Sequence, residues 1–169
     1  MSLSRSAVLM ANFTVALAGA PVAAADPPST PQPGDPYVEA QGHYTGADDP
    51  GWIYFKEAES DGQPVGRWGC GIGPDGTVGC DAVPYPTQIG DAPPVDVPPH
   101  ANQTVATPEQ PGQYRHSDTL TFTRNVDVLR PGYELVNGGA SCAVGWQGSV
   151  SCQTGDHGFT LYSIWGETH

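Results

Sequence analysis

Asp156-His157-Gly158 is the stretch of this chain best suited to acid–base chemistry. An imidazole titrates near neutrality, and a neighbouring carboxylate can orient it as a general base. Adjacent strand residues point to opposite faces, however, and Thr154-Gly155-Asp156-His157-Gly158 has the composition of a turn. His157 is therefore expected to hold a turn, with catalysis by His157 and Asp156 as the sharper alternative. A nucleophile is equally hard to place. Ser141 and Ser151 sit beside cysteines and lack the G-x-S-x-G setting of an exposed nucleophile. The carboxylate pair of glycoside hydrolysis needs no fixed spacing in sequence. His43, His100, His116 and His169 show no ligand spacing, and Asp48-Asp49, Asp91 and Asp96 lack the calcium-loop pattern. No glycine loop leads into a helix to hold phosphate. The expectation is no metal and no cofactor.

Binding chemistry is better represented. Trp146 stands at the tip of an expected hairpin, where an aromatic ring can anchor a sugar or a protein partner. The alternative is that it folds back on Tyr133 or Tyr162 as core. Trp52, Tyr54 and Phe55 suit a core, although Tyr54 and Phe55 must face opposite ways, so one of them needs a further covering element or a ligand.

The four cysteines define the elements that must position these groups. Cys70 to Cys80 reads C-G-I-G-P-D-G-T-V-G-C, and Cys142 to Cys152 reads C-A-V-G-W-Q-G-S-V-S-C. Both fit C-[GA]-[IV]-G-x-x-G-[TS]-V-x-C, so one stapled unit occurs twice. Nine intervening residues do not make a zinc knuckle. Pro74-Asp75-Gly76 suits a three-residue hairpin loop whose glycine takes the left-handed position. Gly73 then pairs with Thr77, Ile72 with Val78, and Cys70 with Cys80. If Gly73 and Thr77 form a hydrogen-bonded pair, alternation makes the cysteines a non-bonded pair, where Cβ atoms come closest. The loop Trp146-Gln147-Gly148 gives the same register to the second copy. The expected bridges are Cys70–Cys80 and Cys142–Cys152, with Ile72, Val78, Val144 and Val150 on the same inward face.

The beginning of the chain has the pattern of a secretory signal peptide over 1–25. Arg5 precedes an apolar run from Ala7 to Ala20 that is too short to span a bilayer, and Ala23-Ala24-Ala25 offers a cleavage site. Cleavage near Ala25 would leave a secreted or envelope-located protein, with no transmembrane segment, in an oxidising space where disulfides persist. The net charge is −12, from 18 acidic and 6 basic residues. Such an acidic chain argues against nucleic acid and anionic membranes as partners. Lys56 is the single lysine, and with abundant Ala, Gly and Pro this suggests a GC-rich bacterial genome.

Residues 26–36 hold five prolines and form an expected disordered linker, leaving 37–169 as a single β-rich domain. Strands are expected at Trp52 to Phe55, Thr119 to Arg124, Val126 to Leu129, Tyr133 to Val136 and Phe159 to Trp165. Turns are expected at Asp61-Gly62, Pro131-Gly132 and Asn137-Gly138. The segment 82–111 carries eight prolines, which suits a long connection with at most a short edge strand at Gln103 to Ala106. No apolar pattern at helical spacing persists after residue 25. The fold class is all-β, a small antiparallel sandwich or partly open barrel with two disulfide-stapled hairpins. The recurrence of the stapled unit also suggests a duplicated half-domain, although the sequences flanking the two units differ.

Trp52 to Phe55, C-G-I-G-P-D-G-T-V-G-C-D at 70–81, Asn102-Gln103, and S-C-A-V through C-Q-T-G-D-H-G-F-T-L at 141–161 together resemble a group of small exported proteins of mycobacteria and related actinobacteria. The resemblance implies export and a cell-envelope setting, and it supplies no catalytic residues. Three functions are therefore weighed. The leading one is a non-enzymatic β domain that binds a protein or envelope component through hairpin tips and the loop 82–111. The others are an envelope-directed hydrolase using His157 and a protease inhibitor offering a stapled loop. The Asn102-Gln103-Thr104 sequon carries little weight in a bacterial chain.

Overall fold

The computed structural model describes residues 30–57, 68–84, 97–162 and 165–169. The expected signal peptide, the start of the linker and the Asp61-Gly62 turn lie outside these residues. The chain is all-β. Its strands are β1 (Val38–Glu39), β2 (Ile53–Glu57), β3 (Gly69–Ile72), β4 (Val78–Cys80), β5 (Gln103–Thr107) and β6 (Gln110–Arg115), followed by β7 (Val128–Leu129), β8 (Tyr133–Asn137), β9 (Ala140–Val144), β10 (Val150–Thr154), β11 (His157–Leu161) and β12 (Gly166–Thr168). They form two six-stranded sheets, ordered β1-β8-β9-β10-β11-β12 and β6-β5-β4-β3-β2-β7.

The stapled units fold as their residues dictate. Cys70 pairs with Cys80 and Ile72 with Val78; Cys142 pairs with Cys152 and Val144 with Val150. The loops close through Gly73 N–H to the Thr77 carbonyl at 2.7 Å and Gly145 N–H to the Ser149 carbonyl at 2.8 Å. Gly76 and Gly148 take φ of 82° and 71°, the left-handed conformation that a Cβ disfavours. Both disulfides form within their hairpins, with Cα separations of 4.0 and 4.1 Å, close to the short spacing of a non-hydrogen-bonded pair. All four half-cystines and the four β-branched residues beside them are buried in one core between the sheets, together with Phe55, Leu129, Phe159 and Leu161.

The repetition runs through the whole topology. Each sheet is a five-strand antiparallel meander, β2 to β6 or β8 to β12. A two-residue strand joins the first strand of each meander in parallel, and it comes from the other half of the chain. β1 precedes β2 but pairs with β8, whereas β7 precedes β8 but pairs with β2. Equivalent strands of the two meanders, β3 and β9, β4 and β10, β5 and β11, and β6 and β12, touch across the core. The halves thus share one strand plan and exchange their leading strands, as two copies in a swapped dimer would. At the β6 and β12 end the sheets are joined by Gly112 N–H donating to the His169 carbonyl at 3.1 Å.

Three expectations need correction. The strand expected at Thr119 to Arg124 is a bent segment without a ladder, because its amides bond to a side chain. The Asp81 carboxylate accepts from the N–H groups of Thr121, Phe122 and Thr123, from the Thr123 hydroxyl, and from Gln103 Nε2 at 2.6 Å. Phe122 is thereby pressed onto the outer face of β4, where Gly79 has no side chain to oppose it. Second, the Gln103 to Ala106 strand is internal, paired on both sides by β4 and β6. Gln103 and Thr104 are fully buried there, and Thr104 Oγ1 donates to the Ala82 carbonyl. The sheet edge is β6, whose Pro111 lies at a register shift where a missing N–H is tolerated. Third, the closing strand over Phe159 to Trp165 is a hairpin, with β12 folding back on β11 and Tyr162 N–H donating to the Trp165 carbonyl. The described part of the linker also carries structure. Asp35 N–H donates to the Gln32 carbonyl in a turn, and Pro31 is buried.

Replacing Cys142 and Cys152 together by alanine is expected to lower unfolding free energy by about 2.8 kcal/mol from loop entropy, read from urea midpoints. Asp81→Asn puts an amide NH₂ against backbone donors. It is expected to destabilise by roughly 2–4 kcal/mol and to raise hydrogen exchange at residues 121–123.

Candidate functional site

β1 and β7 are edge strands of different sheets, and between them opens a cleft of about 720 Å³. One wall is the extended run 38–41; the other is Asp127 and Val128 with Arg130, and the rings of Tyr44 and Tyr133 complete it. The local sequence explains the placement. Val38 and Ala40 donate their amides to the carbonyls of Gly132 and Glu134, which lays the run along β8. The chain then crosses toward β7, where His43 bonds the residue before that strand: its N–H donates to the Asp127 carboxylate at 2.8 Å and its carbonyl accepts from Asp127 N–H at 3.0 Å. The Tyr44 hydroxyl points to the Val128 carbonyl at 3.4 Å. Burial, reinforced by Asp127 and opposed by Arg130, pushes the Tyr44 phenol up from its ordinary pKa. Among the described residues Arg130 and Glu39 have no ion-pair partner.

Trp146 stands beside Gly132, the residue that precedes Tyr133 of the cleft lining. Its indole lies over Gly132, at the start of β8, and is 40% exposed. Its ring and Pro31 both approach the space where a side chain at position 132 would stand. Tyr37 and Val38 are also exposed, and the Tyr37 hydroxyl reaches the neighbourhood of Gly145. The second hairpin tip and the residue before β1 thus each present an exposed aromatic ring, which together form the rim. The first tip is differently used: Gly138 packs against Gly73 and Pro74, and Asn137 Nδ2 donates to the carbonyls of Gly51 and Ile72.

His157 opens β11, opposite Thr154, so Gly155-Asp156 is the two-residue loop of the β10–β11 hairpin. The imidazole is half-buried and makes no side-chain hydrogen bond or ion pair among the described residues. The described cleft is lined by other parts of the chain, and the structure does not bring His157 to it. Ser151 donates to or accepts from Thr160 Oγ1 at 2.8 Å on the outer face of its sheet. Asn102 bonds Ser117 through both amide atoms, so its sequon side chain holds a loop. Among the described residues no group of three His, Cys, Asp or Glu side chains is placed to hold a metal ion, and no helix is long and apolar enough to cross a membrane.

A second polar cluster covers the outer face of β2. Phe55 enters the core, so Tyr54 points outward. There it stacks on Trp52 at 5.8 Å, and the Arg124 guanidinium lies over its ring at 4.7 Å. Arg124 pairs with Asp49 at 2.8 Å. The hydrogen bond from Arg124 holds the Asp49 carboxyl below its usual range. Burial and then the bond to Asp49 push the Tyr54 phenol up to about 12. This is the cover that the opposed directions of Tyr54 and Phe55 require. The sequence hid it because Asp49 and Arg124 are distant in the chain.

Comparison with protein-family models, with curated proteins and with solved structures finds no match for this chain. The cleft is therefore interpreted from its own chemistry.

The Asp49–Arg124–Tyr54 cluster has a pH signature. Asp49 titrates below 3.8 when folded, so its contribution is complete above that pH and is lost as pH falls through the lowered value. Tyr54 acts in the opposite sense: its contribution is complete below pH 10.0 and is lost as pH rises through about 12. Thermal unfolding against pH is expected to show a plateau between these limits. Asp49→Asn should flatten the acid limb, and Tyr54→Phe should remove a phenolate that forms at about pH 12 in an absorbance titration.

Proposed function

We propose that the protein is an exported, non-enzymatic binding domain of the bacterial cell envelope, and that it engages a protein or envelope component at the cleft between β1 and β7. The observation that carries this reading is an open cleft of about 720 Å³ lined by the rings of Tyr44 and Tyr133, with two exposed rings on adjoining residues: Tyr37, next to Val38 of the lining, and Trp146, over the Gly132 that precedes Tyr133. Large amphipathic rings fixed beside a concavity supply contact area at small entropic expense, which is why they dominate binding hot spots. The rim is rigid because Trp146 stands on a three-residue loop closed by a disulfide and a backbone hydrogen bond.

Support for the setting is chemical. Two disulfides and no free cysteine among the described residues are compatible with an oxidising compartment. The export pattern of residues 1–25 and the actinobacterial resemblance agree with that compartment. An acidic chain is repelled by anionic lipid and nucleic acid, so the partner is expected to be neutral or basic.

The test is affinity capture from envelope extracts with wild type, Trp146→Ala and the cleft-filling Ala40→Trp. The same partner is expected to be depleted with both variants. For a purified partner, Trp146→Ala should weaken binding about thirty-fold, the loss of one hot-spot ring of about 2 kcal/mol. Equal recovery with all three proteins would remove the cleft from the mechanism.

A further inference from the structure

The wall of the cleft is a backbone edge. Side chains alternate along an extended strand, so four consecutive residues, 38–41, can line one cavity only if the main chain itself faces it. The hydrogen bonds agree. Val38 and Ala40 turn their amides toward β8, so the intervening Glu39 turns its N–H and C=O the other way, into the opening. The facing wall contains Val128 of β7, the edge of the other sheet. A free strand edge is a template for another strand.

Resting on the binding reading above, we infer that the cleft takes an extended peptide segment of a protein partner, paired on the Glu39 edge of β1 and carrying alternating apolar and basic side chains. A peptide supplies amides and carbonyls at the repeat that an open edge requires. Its apolar residues meet Ala40, Val128 and the rings of Tyr44 and Tyr133. The basic residues meet Glu39, an exposed carboxylate with no ion-pair partner among the described residues, in the field of a chain of net charge −12. The Asp127 carboxylate accepts from the His43 amide at one oxygen and adds a second negative charge to the same opening. Arg130, on the opposite wall, can donate to peptide carbonyls. Charge complementarity makes such binding faster and salt-sensitive.

The experiment uses the full mature chain, isotopically labelled, titrated with a synthetic decapeptide of alternating Val and Lys. Parallel titrations use the Val–Glu analogue, the Val–Lys peptide methylated on every second amide nitrogen, and a neutral oligosaccharide. Amide resonances of residues 38–41 and 127–130 are expected to shift, and the Glu39 amide should become protected from exchange. Affinity should fall at least ten-fold on amide methylation and on Glu39→Lys, and binding should disappear with Ala40→Trp. Comparable binding of the Val–Glu or methylated peptide, or a preference for the oligosaccharide at the same resonances, overturns the peptide inference while leaving the cleft as a binding site. Shifts confined to β6 or β12, or binding unaffected by Ala40→Trp, overturn both. Thermal unfolding of each variant shows that a loss of binding is not a loss of fold.

Discussion

Two hairpins placed face to face, each clamped by a disulfide at a non-hydrogen-bonded pair, are the constraint from which the remaining architecture follows. A cross-strand bridge at such a site fixes which residues oppose each other. It thereby sets Ile72 against Val78 and Val144 against Val150 on one face. Those faces are apolar and must be covered, and each hairpin covers the other. The core is accordingly built around sulfur and β-branched carbon, with Phe55, Phe159, Leu129 and Leu161 added from the neighbouring strands. The other strands extend this centre outward in both sheets.

Exchange of the leading strands then determines where a ligand can enter. Crossing over ties the two halves together and brings two short edges from different sheets to the same side of the molecule. His43 holds these edges at a set separation by bonding Asp127 through both main-chain groups. On the opposite side the Gly112 N–H donates to the His169 carbonyl and joins the two sheets. The concavity is thus a consequence of topology, and the aromatic rim is a consequence of the second hairpin tip overlying Gly132.

Much of the local structure was legible because it depends on neighbours in sequence. Hairpin register follows from loop length, loop glycine and cysteine spacing, all carried within eleven residues, and the observed pairs agree. The prolines were less informative. Their density disguised β5, because a Pro-rich composition does not reveal that the two prolines nearest the strand fall in a turn and at a bulge. The threonine alternation at 119–124 misled for a related reason. Alternation describes side chains, whereas the backbone partner of that segment is the Asp81 carboxylate, about forty residues away in sequence. The same carboxylate receives Gln103, so two separate sequence stretches, ending at Asp81 and beginning at Asn102, prove to serve one structural contact.

The division between the two levels of description has a simple physical basis. Residue order alone determined the all-β class, the two stapled hairpins and their inward faces, because turn chemistry, two-residue periodicity and short-loop closure are local. Tertiary structure alone decided that the halves exchange strands, that Asp49 meets Arg124 over Tyr54, and that Glu39 and Val128 face one cleft. Those relations join residues far apart in the chain. They are selected by which apolar faces and free amides can be satisfied together, a condition that exists only once both sheets have formed.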